Sequence, residues 1–117
     1  MASHNIANIV VERTFTVVGG KPSVIAVKIE NPKKLSGHDD YKCENQICGL
    51  KNNNIKHACG IDSLQALMLA LERVGAEIYT SQESQDGRLR WAGDESGLLG
   101  LPIPNNIEDI IDNCSSH

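Results

Sequence analysis

Aromatic residues are scarce, 3% of the chain, and positive charge is in deficit, with 11 Lys and Arg against 15 Asp and Glu for a net charge of −4. Stacking platforms for single-stranded nucleic acid are therefore missing, and no basic face is on offer to phosphate backbones or anionic lipid. Long apolar runs are missing too. The longest, residues 66–71, is far short of the about 20 residues that cross a bilayer as a helix. Residues 1–5 lack the basic segment and apolar stretch of an export signal. These absences predict a soluble, cytoplasmic protein with neither a nucleic-acid nor a membrane partner. Its four cysteines are then expected as reduced thiols rather than a disulfide frame. Repeats and low-complexity segments are absent, as are the P-loop, the Rossmann glycine pattern, the calcium loop and the G-x-S-x-G elbow.

What is present is organised around the stretch Gly60-Ile61-Asp62-Ser63-Leu64-Gln65-Ala66-Leu67 and its continuation to Gly75. Asp62 can accept from first-turn N–H groups and Gln65 can reach back, the capping-box arrangement, so a helix should begin near Ser63. Gly75 supplies a stop. The helix is predicted over 63–74, roughly 18 Å long. Leu64, Leu67, Met68, Leu71 and Val74 recur at helical spacing and are assigned to the core. Ala66, Leu69 and Ala70 then lie away from that stripe beside Arg73, to be covered by the chain's own terminal segments or by a dimer or other partner.

Residues 8–18 alternate, with Ile9, Val11, Phe15 and Val17 on one parity and Arg13 interrupting them. After Gly19-Gly20-Lys21 the pattern resumes over 23–30 with Ile25, Val27 and Ile29, which predicts an antiparallel hairpin. Residues 31–40 read as a loop, 41–50 as a third strand and 55–59 as a fourth. Beyond the helix, 76–81 and 88–91 read as a second hairpin around a polar turn. Residues 93–104 are irregular, Asn105 to Ile111 carry a short amphipathic helix, and 113–117 are a frayed tail. The expectation is one domain of α+β class: an antiparallel sheet of about four to six strands, in the order β-β-β-β-α-β-β-α, packed on one central helix.

Tyr41-Lys42-Cys43, the Gly60-Ile61-Asp62-Ser63-Leu64-Gln65-Ala66-Leu67 helix start, Ile78-Tyr79, Leu89-Arg90-Trp91 and Leu101-Pro102 together resemble a family of small bacterial proteins. That family is known only as a domain of unknown function, with a Y-x-C strand, a G-[VI]-D-x-[VL]-Q-A-L helix and a late L-x-W. The resemblance spans about Ile9 to Pro104 and implies no catalytic or binding residues.

Chemistry has few candidates. Cys43, Cys48, His57 and Cys59 offer thiolates and an imidazole of the kind that suits zinc. Cys43 and Cys48 are an odd number of residues apart, however, and a regular strand would send them to opposite faces. His57 and Cys59 share a strand face just before a helix start, where a thiolate is favoured, but Asp62 already brings negative charge there. The sequence is therefore read as that of a non-enzyme without a cofactor: a bacterial protein-binding domain, with an immunity-type inhibitor of a toxin as the subclass. In that reading the acidic loop at Asp39, Asp40 and Tyr41 meets a basic toxin domain. The alternatives are a small metal-binding or thiol-dependent protein using Cys43, His57 and Cys59, and a structural homodimer using Ala66, Leu69 and Ala70.

Overall fold

The computed structural model describes residues 8–37, 39–50, 53–94, 96–97 and 99–102. Its strands are β1 (Ile9–Val17), β2 (Ser23–Glu30), β3 (Lys33–Lys34), β4 (Tyr41–Cys48), β5 (Ile55–Gly60) and β6 (Leu89–Arg90). Its helices are α1 (Ser63–Tyr79) and α2 (Gln82–Gln85), both between β5 and β6. The class is α+β: a six-stranded antiparallel sheet with a helix packed on it. The order differs from the expected one on both sides of α1: β3 adds a fifth strand before it, and after it a second helix and a single short strand replace the second hairpin.

β1 and β2 form the predicted hairpin, in register from Val11 opposite Ile29 to Val17 opposite Ser23. Their inward parity places Phe15, Val17, Ile25, Val27 and Ile29 in the core. β2 then pairs with the second half of β4, while β3 pairs with its first half, Lys33 opposite Lys42 and Lys34 opposite Tyr41. The 31–40 segment is thus less of a loop than its composition suggests. After the break at Asn31-Pro32 the chain rejoins the same side of β4, and Leu35 N–H donating to the Asp40 carbonyl (2.8 Å) closes the turn. Each lysine of the like-charged pair has an acid beside it, Glu30 at 3.3 Å from Lys33 and Glu44 at 4.0 Å from Lys42.

α1 starts where the capping signals place it. The Asp62 side chain accepts from Gln65 N–H at 2.8 Å, and the Gln65 side chain accepts from Ile61 N–H at 2.7 Å. The rest of the helix corrects two expectations. Its sheet-facing row is Ala66, Ala70, Val74 and Ile78, each with 0% exposure, flanked by half-buried Leu67, Leu69 and Leu71. Leu64 and Met68 project outward. Volume explains the inversion: a Cβ on Gly60 would press on the backbone of Gln65 and Ala66, so the helix start lies against the end of β5 and only small side chains fit between them. Ala66 and Ala70 are therefore closed off within the chain and offer no dimer or partner surface.

The helix also runs past Gly75 to Tyr79. Residues 76–81, expected as a strand, instead carry the last turn of α1 and its cap, because Ile78 continues the buried row of Ala66, Ala70 and Val74 at a step of four residues. Thr80 ends it, with both its N–H and its hydroxyl donating to the Ala76 carbonyl. Ser81 then caps α2. Gly75 serves packing rather than termination, since the Pro102 carbonyl rests where its Cβ would be.

β6 pairs with β1, Leu89 opposite Val17, rather than with a neighbour in sequence. The stretch after it is fastened from three directions. The Arg13 guanidinium lies 3.9 Å from the Trp91 ring centroid and donates to the carbonyls of Leu99 (3.2 Å) and Gly100 (3.0 Å). The Tyr79 hydroxyl accepts from Leu99 N–H at 3.0 Å. Leu99 itself is core. Arg13, the interruption in the strand pattern, is thus the clamp for this segment. The short helix expected over Asn105 to Ile111 and the tail at 113–117 lie outside the described residues.

Gly75→Ala tests the packing role. Replacing glycine by alanine inside a helix ordinarily gains about 1 kcal/mol. Here collision with the Pro102 carbonyl should outweigh that gain and leave the variant about 1–3 kcal/mol less stable, as read from the urea midpoint.

Candidate partner-binding surface

The start of β4, the end of β5 and the start of α1 meet at one end of the molecule, because Tyr41 stands opposite Gly60 in the β4–β5 ladder. Three large apolar side chains crown that end: Ile61 is 74% exposed, Leu64 63% and Met68 50%. Leu64 and Met68, four residues apart, share one side of α1, and Ile61 precedes its Asp62 cap. Asp39 and Asp40 precede Tyr41 in the turn after β3. Asp39 is exposed, with the Lys34 ammonium 3.9 Å away, so the acidic loop carries its own counter-charge. Exposed Ile9, Val10 and Val11 open β1, whose first residue stands opposite Glu30 at the end of β2.

The sequence reading assigned Leu64 and Met68 to the core and so missed this stripe. The signal that would have found it is the four-residue row Ala66, Ala70, Val74, Ile78 following Gly60: small residues next to a glycine mark the close-contact face. Of the four residues named as a helix surface, Ala66 and Ala70 are buried, Leu69 is half-buried against the core, and Arg73 lies along Glu77 with its Nε 3.9 Å from Oε1.

Cys43, His57 and Cys59 do not converge. Cys43 faces the core opposite Ala58, whereas His57 and Cys59 stand opposite Glu44 and Lys42, on the reverse face of the sheet. The Cys43 thiol is fully buried and donates to the Glu30 carbonyl at 3.3 Å. Burial, with the Glu30 and Glu44 carboxylates adding to it, pushes its pKa up to about 11, so it carries a proton at neutral pH and is a poor nucleophile and metal ligand. Partial desolvation and the Lys42 cation hold the His57 pKa below the ordinary imidazole value, and Arg73 adds to this while Glu44 opposes it. Cys59 is disulfide-bonded, its partner lying outside the described residues, which corrects the expectation of four reduced thiols. Cys43 and Cys48 are free. Among the described residues no group of three or more His, Cys, Asp or Glu side chains is placed to hold a metal ion, and no helix is long and apolar enough to cross a membrane.

A family profile, the domain of unknown function DUF6968, matches residues 11–103. The chain belongs to the DUF6968 family. The DUF6968 span runs from within β1 to just past Pro102, so it takes in all of the sheet but the first two residues of β1, both helices and the clamped segment. No curated protein and no solved structure matches the chain.

The Cys43 environment has a pH consequence. An unfolded thiol ionises from about pH 9 while the buried one resists to about 11, so the unfolded state alone loses its proton in between. Stability is then intact below pH 9 and falls as pH rises through this window. At about pH 10.5 the wild type should have lost about 2 kcal/mol more than Cys43→Ala, relative to each at pH 8, in paired chemical denaturation.

Proposed function

We propose that this chain is a non-enzymatic protein-binding domain of bacterial origin, with its partner docking over Ile61, Leu64 and Met68 beside Tyr41 and the Asp39-Asp40 turn. The observation that carries the reading is the exposed apolar group made by Ile61, just before the cap of α1, and by Leu64 and Met68 on its outward side. These three side chains stand in water although the helix already has a complete buried face of its own, so packing within the described chain gives them no role. Each is worth roughly 1.5–3 kcal/mol when transferred from water to an apolar interface. A contiguous cluster of that kind is how protein surfaces mark contact sites.

Within this class we favour an immunity-type inhibitor seated against a basic toxin domain. The chain's net charge of −4 steers such a partner inward. The Asp39–Lys34 pair is solvent-exposed and weak, so a partner cation can take its place. The homodimer alternative loses Ala66 and Ala70, and the metal or thiol alternative is disfavoured by the separation of Cys43 from His57 and Cys59 on opposite sheet faces.

The test is a calorimetric titration against the product of the gene immediately upstream. Wild type should bind with a dissociation constant below about 1 μM, a free energy near −8 kcal/mol. Leu64→Asp should weaken binding at least about thirtyfold, while Val24→Asp, an exposed site on the other parity of the sheet, should leave it unchanged. Equal melting temperatures for the variants would show that folding is not the cause. Undiminished binding by Leu64→Asp would remove the stripe from the proposal.

A further inference from the structure

At the opposite end of α1 lies a cleft of about 470 Å³ between the β4–β5 ladder and the corner where α1 meets α2. Its floor is a cross-strand pair, Asn45 opposite Lys56, and Ile47 and Leu50 form an apolar wall. Its hydrogen-bonding capacity is lopsided. Asn45 is 2% exposed and its side-chain amide donates to the Cys43 carbonyl at 3.3 Å, leaving Oδ1 with no donor among the described residues. The Glu83 carboxylate has no ion-pair partner among them either. Glu77 uses Oε1, 2.6 Å from the Lys56 ammonium and 3.9 Å from Arg73 Nε, with Oε2 to spare. The hydroxyls of Thr80 and Ser81, which also line the cleft, spend their protons on the carbonyls of Ala76 and Ile78, both at 2.6 Å, and Ser81 Oγ accepts from Ser84 N–H at 3.3 Å.

From this surplus of acceptors we propose that the cleft binds a small aliphatic cation rich in N–H donors, an alkylammonium or guanidinium compound. Its charged head bonds to Asn45 Oδ1, Glu83 and the free oxygen of Glu77, and its methylene stem lies on Ile47 and Leu50. The Lys56 ammonium on Glu77 already shows how such a head sits against this wall. An uncharged ligand would leave the Glu83 carboxylate without a donor, and an anion would be repelled by it. The site is independent of the stripe at the other end of α1 and does not rest on the protein-binding reading. A free amine and a Lys or Arg side chain of another protein present the same chemistry.

The experiment is an NMR titration of the isotope-labelled full chain with agmatine and putrescine, with tetramethylammonium as a cation lacking N–H groups. Agmatine should give saturable shifts at the Asn45 side-chain amide and across residues 77–83, with putrescine weaker and tetramethylammonium inert. Glu83→Gln and Glu77→Gln should each weaken agmatine about tenfold or more, and Glu12→Gln on distant β1 should not. Nα-acetyl-arginine amide binding as well as agmatine assigns the cleft to a partner's basic side chain; a marked preference for agmatine assigns it to a free small molecule. No saturable shift with agmatine or putrescine, equal response to tetramethylammonium, or full affinity in Glu83→Gln overturns the proposal.

Discussion

Everything in this fold depends on how closely one helix can lie on one strand. Gly60 at the end of β5 lets the α1 backbone approach, and Ala66, Ala70, Val74 and Ile78 fill the narrow space left between them. Larger residues in the first two places would lift the helix and open the core over Cys43 and Ala58. The same close approach rotates Leu64 and Met68 outward, so the exposed stripe is the geometric complement of the buried one.

The other half of the sheet is covered by different means. Among the described residues no second long helix lies over β1 and β2. That area is closed by Leu89, Leu99 and half-buried Trp91, held by Arg13 and the Tyr79 hydroxyl. An irregular segment has carbonyls that need donors if they are to be buried. Arg13 meets this need for two of them and covers an indole ring at the same time. The inward-facing charge in a hydrophobic strand is the reason the chain can do without more secondary structure there.

Several of these features were legible in the residues. The β1–β2 hairpin, the strands β4 and β5, the Asp62 cap and the α+β class follow from alternation, turn chemistry and capping, each a local rule. What was misread depends on distance. Which helix face is buried could not be taken from hydrophobicity, because leucines populate both sides and the deciding residues are alanines that fit a gap created by Gly60. Gly75 resembles a stop signal until Pro102, far along the chain, is placed against it. Residues 76–81 alternate well enough for a strand, and only the place of Ile78 in the buried row of Ala66, Ala70 and Val74 selects helix. The pairing of β6 with β1 joins residues more than seventy apart, which no short-range pattern encodes. Among the candidate site residues, opposite faces for Cys43 and His57 follow from the β4–β5 register. The Lys56–Glu77 pair was hidden because Glu77 had been placed on a strand.

The uninterrupted run of α1 from Ser63 to Tyr79 also sets a scale. Seventeen residues rise about 25 Å, some three screening lengths in physiological saline, where the Debye length is about 8 Å. Carboxylates around the cleft and those near the helix start therefore do not sense one another through solvent. Either locality can gain or shed charge without altering the field at its counterpart, and whatever passes between them must travel mechanically, as a tilt or slide of a stiff rod.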